Sequence, residues 1–362
     1  MPSTRGPFHA VMEGNGSYNR HAQLPADGAA LALPLLQKAI RNVDLSGDGP
    51  IVIADYGSSQ GKNSLLPMRN AIAGLRKRAG TERPISVFHV DQPSNDFNSL
   101  FEVLDADPDR YVAYDPNVYP AAIGRSFYGS VLPPGSVHLG WSSYAVIWLS
   151  RVPEPIPGHF VAIRSSRSRP AFDRQAAQDW ERFLTLRSGE LRPGGRLIVV
   201  LPGVTDDGLV GLEPIFDNAN AVLNEIVTDG VITYDERTRM AISAHPRGKQ
   251  DLLAPFTDKG QFQNLTVEDF AMSEVSDSAW EQYKVDNGKE ALAATRALFF
   301  RTIFVPTLAS ALSPERTSNG DAVGSFADQL EQRLKCRLAS RLAAIHSPVQ
   351  VVVLAKQFPP KD

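Results

Sequence analysis

Short apolar runs alternate with amphipathic helical segments through the first part of the chain. Runs of this kind are typical of strands that a sheet buries on both faces, and they occur at residues 51–54, 85–90, 137–141 and 196–201. Helical periodicity marks residues 26–40, 63–75 and 172–191. Regular alternation of strand and helix predicts an α/β fold built on a mostly parallel sheet.

The alternation ends after residue 203, and the pattern of the rest is helical and irregular. A helix is predicted at 213–230, and a loop-rich stretch at 247–268. Two more helices, at 291–312 and 326–345, precede a closing strand at 349–354. A helical insertion placed late in an α/β chain is expected to cover the ligand edge of the sheet.

We therefore expect three segments. Residues 1–203 would form the α/β core with an N-terminal lid segment. Residues 204–300 would form a mainly helical cap and substrate region. Residues 301–362 would supply the remaining core elements, with some contribution to the cap.

Two segments between the predicted strands carry less regular patterns. Residues 119–135 are rich in Gly, Pro and aromatic residues, which predicts neither a helix nor a strand. Tyr144, Ile147 and Trp148 are spaced i, i+3 and i+4, so a helix here would carry all three on one face. This face would follow the carboxyl end of a strand, where α/β proteins bind their ligands.

Composition and charge exclude several classes of protein. The chain has 362 residues, 43% of them hydrophobic, and a formal net charge of −3, which predicts no basic surface for nucleic acid. Cys336 is the only cysteine, so no intramolecular disulfide forms, as is usual in a reducing compartment. No apolar run approaches the roughly 18 residues of a membrane span, and residues 1–10 lack the apolar core of a signal peptide. We expect a cytoplasmic protein without a membrane partner.

The first predicted strand leads into a glycine loop and then a helix. The loop has the form Asp55-x-Gly57-x-x-x-Gly61, and strand, glycine turn and helix together open a nucleotide-binding unit. The pattern lacks the three glycines of the NAD fingerprint, and Lys62 is not followed by the Ser or Thr of a P-loop. It looks most like the first motif of class I S-adenosyl-L-methionine (SAM) methyltransferases.

The second predicted strand ends at an acid, Asp91, followed by Gln92. A carboxylate at this position commonly accepts hydrogen bonds from ribose hydroxyls. The sequence also allows a second interpretation, in which the acid belongs to a helix cap, because residues 93–96 are rich in capping side chains.

Several further motifs occur in the order found in one family. They are Asn95-Asp-Phe-Asn98, Ser126-Phe-Tyr-Gly129, Ser142-Ser-Tyr144, Trp148-Leu-Ser150 with Val152-Pro153, and Pro193-Gly-Gly-Arg196. With the Asp55 loop, this set resembles the SABATH methyltransferases over residues 12–356, and we expect a bacterial-type member. The resemblance implies a class I, Rossmann-like SAM-binding core with a helical cap, often as a homodimer.

The resemblance also implies a set of site residues. Those expected to bind SAM are Tyr18, Asp55, Gly57, Asn63, Asp91, Gln92, Ser126 and Phe127. Those expected to line the acceptor site are Gln23, Tyr144, Ile147, Trp148, Ile215 and Phe216. Tyr144 and Trp148 would act in catalysis, with the Trp148 indole N–H donating to the acceptor carboxylate.

The chain departs from the family at the acceptor side. Pro25 stands where the family has a second carboxylate-binding glutamine, and Gln23 could replace it only with a two-residue slip. Glu13 stands where the salicylate enzymes carry a lysine, and Trp141 stands where the family has a histidine. These differences concern the identity of the acceptor rather than SAM.

The expected reaction is methyl ester formation on a small carboxylic acid, either aromatic, such as benzoate or salicylate, or a medium-chain fatty acid. A carboxylic acid has a reference pKa near 4, so it is ionised at neutral pH and attacks the methyl group in line without a general base. No metal site is expected, and His21, His89, His138 and His245 are interpreted as structural or surface residues. The alternatives are N-methylation of a heterocycle and a non-catalytic SAM-binding protein.

Overall fold

The fold is seen in a computed structural model that describes residues 12–205 and 207–359. The prediction about a signal peptide in residues 1–10 therefore lies outside the described residues.

An eight-stranded mixed sheet forms the centre of the molecule. Its strands are β1 Ile51–Tyr56, β2 Ile85–Asp91, β3 Val118–Gly124, β4 Val137–Ser143, β5 Leu191–Pro202, β6 Gln261–Phe262, β7 Leu265–Val275 and β8 Ser347–Lys356. Their order across the sheet is β3-β2-β1-β4-β5-β8-β7-β6. The first five are mutually parallel, and β8, β7 and β6 add antiparallel pairs at one side. The predicted fold class, an α/β protein with a mostly parallel sheet, is confirmed.

Thirteen α-helices occur in the described residues. They are α1 Ser17–His21, α2 Gln23–Leu31, α3 Leu33–Asn42, α4 Lys62–Ala79, α5 Phe97–Ala106, α6 Arg169–Glu190, α7 Glu213–Thr228, α8 Tyr234–Arg239, α9 Lys249–Leu253, α10 Ser278–Asp286, α11 Lys289–Ala309, α12 Pro314–Thr317 and α13 Gly320–Ser340.

Alternate residues of the buried strands pack on opposite faces of the sheet. In β1, Ile51 and Ile53 join the core formed with α2, α3 and α4, whereas Ala54 and Tyr56 join the core formed with α6. A third core lies among the cap helices, where α11 packs on α13 and α13 packs on α7. Two layers of helices thus cover the sheet, and the cap has a hydrophobic core of its own.

The structure corrects three details of the sequence interpretation. Residues 119–124, part of the stretch 119–135 expected to be neither helix nor strand, belong to β3 beside β2. The range 204–300, expected to be mainly helical, contains β7, which pairs with β8. Both strands are only partly buried, so neither shows the continuous apolar run that marked the inner strands. Tyr144, Ile147 and Trp148 do not lie on a helix: the first is in a bend, the second in a turn and the third in an isolated β-bridge.

One helix of the described residues, α11, is long and apolar enough to cross a membrane by length and composition alone. Its most apolar window is 61% buried within the protein. The core helix of a globular fold meets the same criterion, so this is weak evidence for a membrane span.

Candidate active site

A cleft of about 790 Å³ opens at the carboxyl ends of the parallel strands. Eight of the predicted site residues line it: Tyr18, Gly57, Asp91, Gln92, Ser126, Phe127, Tyr144 and Trp148. They come from α1, from the end of β2, from the loops after β1, β2 and β3, and from the segment after β4. Because parallel strands end at one edge, residues far apart in sequence meet at this cleft.

The glycine loop after β1 forms the floor of the cleft. Gly57 has φ of 92°, and a Cβ placed on it would lie 2.1 Å from the Cβ of Ala145. Only glycine fits this position, since the angle and the close approach both exclude a side chain. Asp55 lies beneath the loop instead of lining the cleft, and its carboxylate bonds to the hydroxyl of Ser64 and to Nδ1 of His89.

Asp91 stands at the end of β2 with its carboxylate held by the loops on either side. The backbone N–H groups of Ser59 and Gln92 each donate to it at 2.7 Å. Burial raises its pKa to about 6 despite these two bonds. Two buried polar atoms nearby, Oγ of Ser59 and Oε1 of Gln92, have no hydrogen-bond partner in the described residues. A half-buried carboxylate with unpaired polar atoms beside it suits a ligand that carries hydroxyls.

Ser126 and Phe127 form another wall of the cleft. The Ser126 hydroxyl accepts from the N–H of Tyr128 at 3.2 Å, and the Phe127 ring packs on that of Tyr128 with centroids 4.8 Å apart. The guanidinium of Arg187 is buried and donates to the Phe127 carbonyl at 2.8 Å. The predicted contact of Ser126 and Phe127 with the adenine ring stays a prediction, and both residues line the cleft.

The N-terminal segment with α1 closes one side of the cleft. Tyr18 lines the cleft, and burial raises the pKa of its phenol well above the usual value. The Asn63 amide donates to the Ala22 carbonyl at 3.1 Å, and this residue lines a separate small pocket instead of the cleft. The Glu13 carboxylate is bonded to Arg301 at 2.9 Å, an arginine of α11 that also pairs with Asp328 and Glu331.

Tyr144 and Trp148 sit on either side of a tight turn after β4. Tyr144 has φ of 56°, a left-handed angle that ends the strand and prevents a helix from starting there. The hydroxyl of Tyr128 donates to the Trp148 carbonyl at 2.8 Å, which fixes the backbone of the turn. The indole N–H of Trp180 donates to the Leu252 carbonyl at 3.0 Å. The indole N–H of Trp148 makes no hydrogen bond to another described residue.

A small pocket of about 60 Å³ lies beside this turn, and we call it the apolar pocket. Its described lining residues are Ile147, Val161, Ile163, Pro202, Val210, Leu212, Phe216, Ile242, Ala244, His245, Pro246 and Phe304. Two predicted acceptor-site residues, Ile147 and Phe216, are among them. The rings of Phe304 and Trp148 lie 6.0 Å apart, so the apolar pocket adjoins the cleft.

Two other predicted acceptor-site residues lie elsewhere. Gln23 is exposed, and its amide donates to Asp27 at 2.7 Å. Gln23 and Ile215 line a separate small pocket with Leu212, which is shared with the apolar pocket. Pro25, which replaces the glutamine of the family, is buried within α2.

Sequence reasoning missed several residues of the cleft. Ser59, Gln60, Asn95 and Arg182 line it, and the Asn95 amide donates to the Ser59 carbonyl at 2.8 Å. Ser59 and Gln60 lie in the loop between Gly57 and Gly61, and Asn95 lies in the motif Asn95-Asp-Phe-Asn98. These motifs could have indicated all three residues. Arg182 lies in α6 with no local pattern to single it out.

The residues present fit SAM. The glycine loop permits close approach, Asp91 offers a buried acceptor, and unpaired polar atoms of Ser59 and Gln92 lie beside it. In the part of the chain that the structure describes, no group of three or more His, Cys, Asp or Glu residues is placed to hold a metal ion.

Comparison with known proteins agrees with this geometry. Residues 9–357 match the family model described as SAM dependent carboxyl methyltransferase. The methyltransferase FUS9 of Gibberella fujikuroi is 31% identical over 285 residues, which cover 76% of this chain and 75% of that protein. The salicylate carboxymethyltransferase of Clarkia breweri is 28% identical over 264 residues, covering 69% of this chain and 72% of that one.

A solved structure shows the same fold. Loganic acid methyltransferase with SAH aligns with a TM-score of 0.78 and 21% identity, covering 97% of this chain and 99% of that chain. The chain belongs to the SAM-dependent carboxyl methyltransferase family, the SABATH enzymes, and its methyl donor is SAM. FUS9 and the salicylate enzyme come from a fungus and a plant, so the bacterial-type assignment gains no support from them.

Proposed function

We propose that this enzyme makes the methyl ester of a small carboxylic acid, aromatic or medium-chain aliphatic. The observation that carries the proposal is the position of Tyr144 and Trp148. Both line the SAM cleft at the turn after β4, and Ile147 between them lines the apolar pocket. An acid with its carboxylate at the turn and the far end of its apolar body in that pocket would meet matching surfaces at both ends.

The roles of the residues follow from their positions. SAM, when bound, supplies an electrophilic sulfonium methyl that a carboxylate oxygen attacks in line. The Trp148 indole N–H donates to one carboxylate oxygen and so orients the other. Positioning of this kind lowers a barrier by about 7–11 kcal/mol. No general base is required, because the carboxyl group is already ionised at neutral pH.

Each residue on the cofactor side of the cleft has a proposed contact with SAM. Asp91 accepts from the ribose hydroxyls, Ser126 and Phe127 contact the adenine, and Tyr18 covers the ligand from α1. Gly57, Gln92 and the Asp55 loop form the floor, with Asn63 holding the segment that carries Tyr18. The product is the ester together with S-adenosyl-L-homocysteine. A homodimer in the cytoplasm remains a prediction.

The test is methyl transfer from labelled SAM to benzoate, salicylate, cinnamate, indole-3-acetate, octanoate and xanthine. Label in an alkali-labile product from any of the acids supports the proposal. Label in an alkali-stable product from xanthine alone would replace it with N-methylation of a heterocycle. One observation favours that second candidate: Pro25, buried in α2, provides no second amide for a carboxylate.

A further inference from the structure

The apolar pocket contains one side chain that does not match the rest. Of its twelve described lining residues, eleven are apolar and the other is His245, which is only 2% exposed. The volume of about 60 Å³ is several times the roughly 10–15 Å³ that one water molecule needs. The pocket therefore has room for one end of an acceptor molecule, and His245 is the only described side chain there able to form a hydrogen bond with it.

The backbone of His245 is tied to the turn that carries Trp148. The N–H of His245 donates to the Ile147 carbonyl at 2.9 Å, and the N–H of Leu149 donates to the Ser243 carbonyl at 3.2 Å. Between these two bonds, Trp148 pairs with Ala244 in an antiparallel bridge. Opposed residues of such a pair point to the same side, which agrees with Ile147 and His245 lining one pocket. Trp148 and His245, which would both contact the acceptor, thus lie on two short segments that are hydrogen-bonded to each other.

The imidazole ring is held from the side of α6. Its Nε2 lies 2.7 Å from Oδ1 of Asp173, and the ring packs at 5.8 Å from that of Phe172. The hydrogen bond from His245 holds the pKa of Asp173 below its usual range, with smaller contributions from the charges of Arg169 and Arg174. An ionised carboxylate only accepts hydrogen bonds, so Nε2 carries the proton.

This pairing fixes the tautomer that the neutral imidazole of His245 adopts. In a neutral imidazole with the proton on Nε2, Nδ1 is an acceptor. Nδ1 of His245 is buried and has no partner among the described residues. A buried acceptor left unpaired is costly, and a ligand that brings a donor removes this cost. Nδ1 is therefore an acceptor that a donor group on a ligand would satisfy.

We propose that His245 accepts a hydrogen bond from a hydroxyl or N–H group on the body of the acceptor acid, away from its carboxylate. This inference rests on the proposed function and narrows its substrate class. The acids preferred by the enzyme carry a hydrogen-bond donor remote from the carboxyl group. A site built to bond a substrate hydroxyl rejects analogues without it more strongly than an apolar pocket rejects a misfit.

The test uses benzoate and its three hydroxylated isomers with labelled SAM. The hydroxyl of salicylate bonds to its own carboxylate and serves as the internal control. We expect the better of 3- and 4-hydroxybenzoate to exceed both benzoate and salicylate roughly 100-fold in kcat/KM. Equal values for all four acids would overturn the inference while leaving the carboxyl methyltransferase activity intact. Label in none of these acids or the aliphatic ones would instead contradict the proposed function.

Variants of His245 distinguish recognition of the acceptor's donor group from a purely structural role of this residue. His245→Phe should raise KM for the hydroxylated acid far more than KM for benzoate, so that the ratio of their kcat/KM values falls towards one. His245→Asn places an amide oxygen near the Nδ1 position and should restore part of the preference. His159→Phe is the matched control, because His159 is a buried histidine outside this pocket, and it should leave the preference unchanged. An equal loss for all acids in His245→Phe would show a structural role and overturn the inference. If that variant does not fold, the wild-type comparison of isomers still decides.

Discussion

The phenol of Tyr144 packs against the backbone of Gly28 with no space for a methyl group between them. A Cβ on Gly28 would lie 2.0 Å from the Tyr144 hydroxyl oxygen and 2.7 Å from its ring. Gly28 lies inside α2, where glycine otherwise weakens a helix. Its presence is explained by the tyrosine, whose backbone is fixed at a left-handed angle and cannot easily move away.

Replacing Gly28 by alanine should therefore displace Tyr144 from its place in the cleft. We expect KM for the acid to rise at least about tenfold because the acceptor wall moves, as sub-ångström misplacement near a reacting group is costly. SAM affinity should change little, since Asp91 and the glycine loop are untouched. Steady-state kinetics and calorimetric titration of SAM measure the two effects.

The matched control is Gly324→Ala in α13. Gly324 also lies inside a helix, and nothing stands within 4 Å of a Cβ placed on it. This variant should keep wild-type kinetics and gain up to about 1 kcal/mol of stability. Equal kinetics for both variants would show that the position of Tyr144 does not matter for the acceptor.

Trp148→Phe tests the proposed donor to the carboxylate. Loss of a hydrogen bond to a charged group costs about 1.5–3 kcal/mol, which corresponds to a decrease in kcat/KM of roughly 10- to 100-fold. SAM affinity should stay as in the wild type. Trp180→Phe is the control, because that indole N–H bonds to Leu252 within the core. It should lower Tm with little effect on KM. Unchanged kinetics in Trp148→Phe would remove the assigned role.

Much of the sheet could be predicted from the sequence because its inner strands are apolar on both faces. β1, β4 and β5 are mostly buried along their length, and each was predicted from its apolar run. The helix after the glycine loop was predicted from its helical periodicity. β3 and β7 could not be found in this way. β3 contains Pro120 and ends at Gly124, and β7 exposes the end that carries Ser273 and Glu274.

The site could be predicted only where local motifs carry it. Tyr144, Ile147 and Trp148 were grouped by helical spacing, and the structure keeps them close through a left-handed turn rather than a helix. His245 was interpreted as structural or surface because nothing near it in sequence marks it. Its partner Asp173 lies 72 residues away, so only the folded chain shows the pair.

The raised pKa of Asp91 makes SAM binding depend on pH. The pKa of about 6 lies above the usual value of 3.8, so a growing fraction of the free enzyme carries a protonated carboxyl as the pH falls below 6. A protonated Asp91 accepts hydroxyls less well. We expect the Kd for SAM to rise by up to about tenfold per pH unit between pH 6 and pH 5, and to be flat above pH 7.

Asp91→Asn provides the control for this effect. The amide does not titrate, so its SAM affinity should be weaker than that of the wild type at pH 7.5 and independent of pH down to 5. Titration calorimetry over this range measures both proteins. A slope in the variant equal to that of the wild type would assign the pH dependence to another group.

The contact between Glu13 and Arg301 ties the N-terminal segment to the cap. Oε1 of Glu13 lies 2.9 Å from Arg301 Nε, its Oε2 accepts from the Ser17 hydroxyl at 2.8 Å, and its carbonyl accepts from the Gln60 amide at 2.8 Å. The two carboxylates of α13 beside Arg301, together with Glu13, raise the pKa of that guanidinium further above its usual value. One glutamate therefore links the segment carrying Tyr18 both to α11 and to the SAM loop.

Glu13→Gln should loosen this link without disturbing the cleft itself. A partly buried pair within a network is worth on the order of 1 kcal/mol, so we expect SAM to bind roughly fivefold more weakly. The difference from the wild type should shrink in high salt, because screening weakens the wild-type pair. Glu281→Gln, which breaks an exposed pair with Lys284 on α10, should leave SAM affinity unchanged. If the segment with Tyr18 covers bound SAM, loosening that segment must weaken SAM binding. A lowered Tm with wild-type SAM affinity in Glu13→Gln would therefore limit the pair to a structural role.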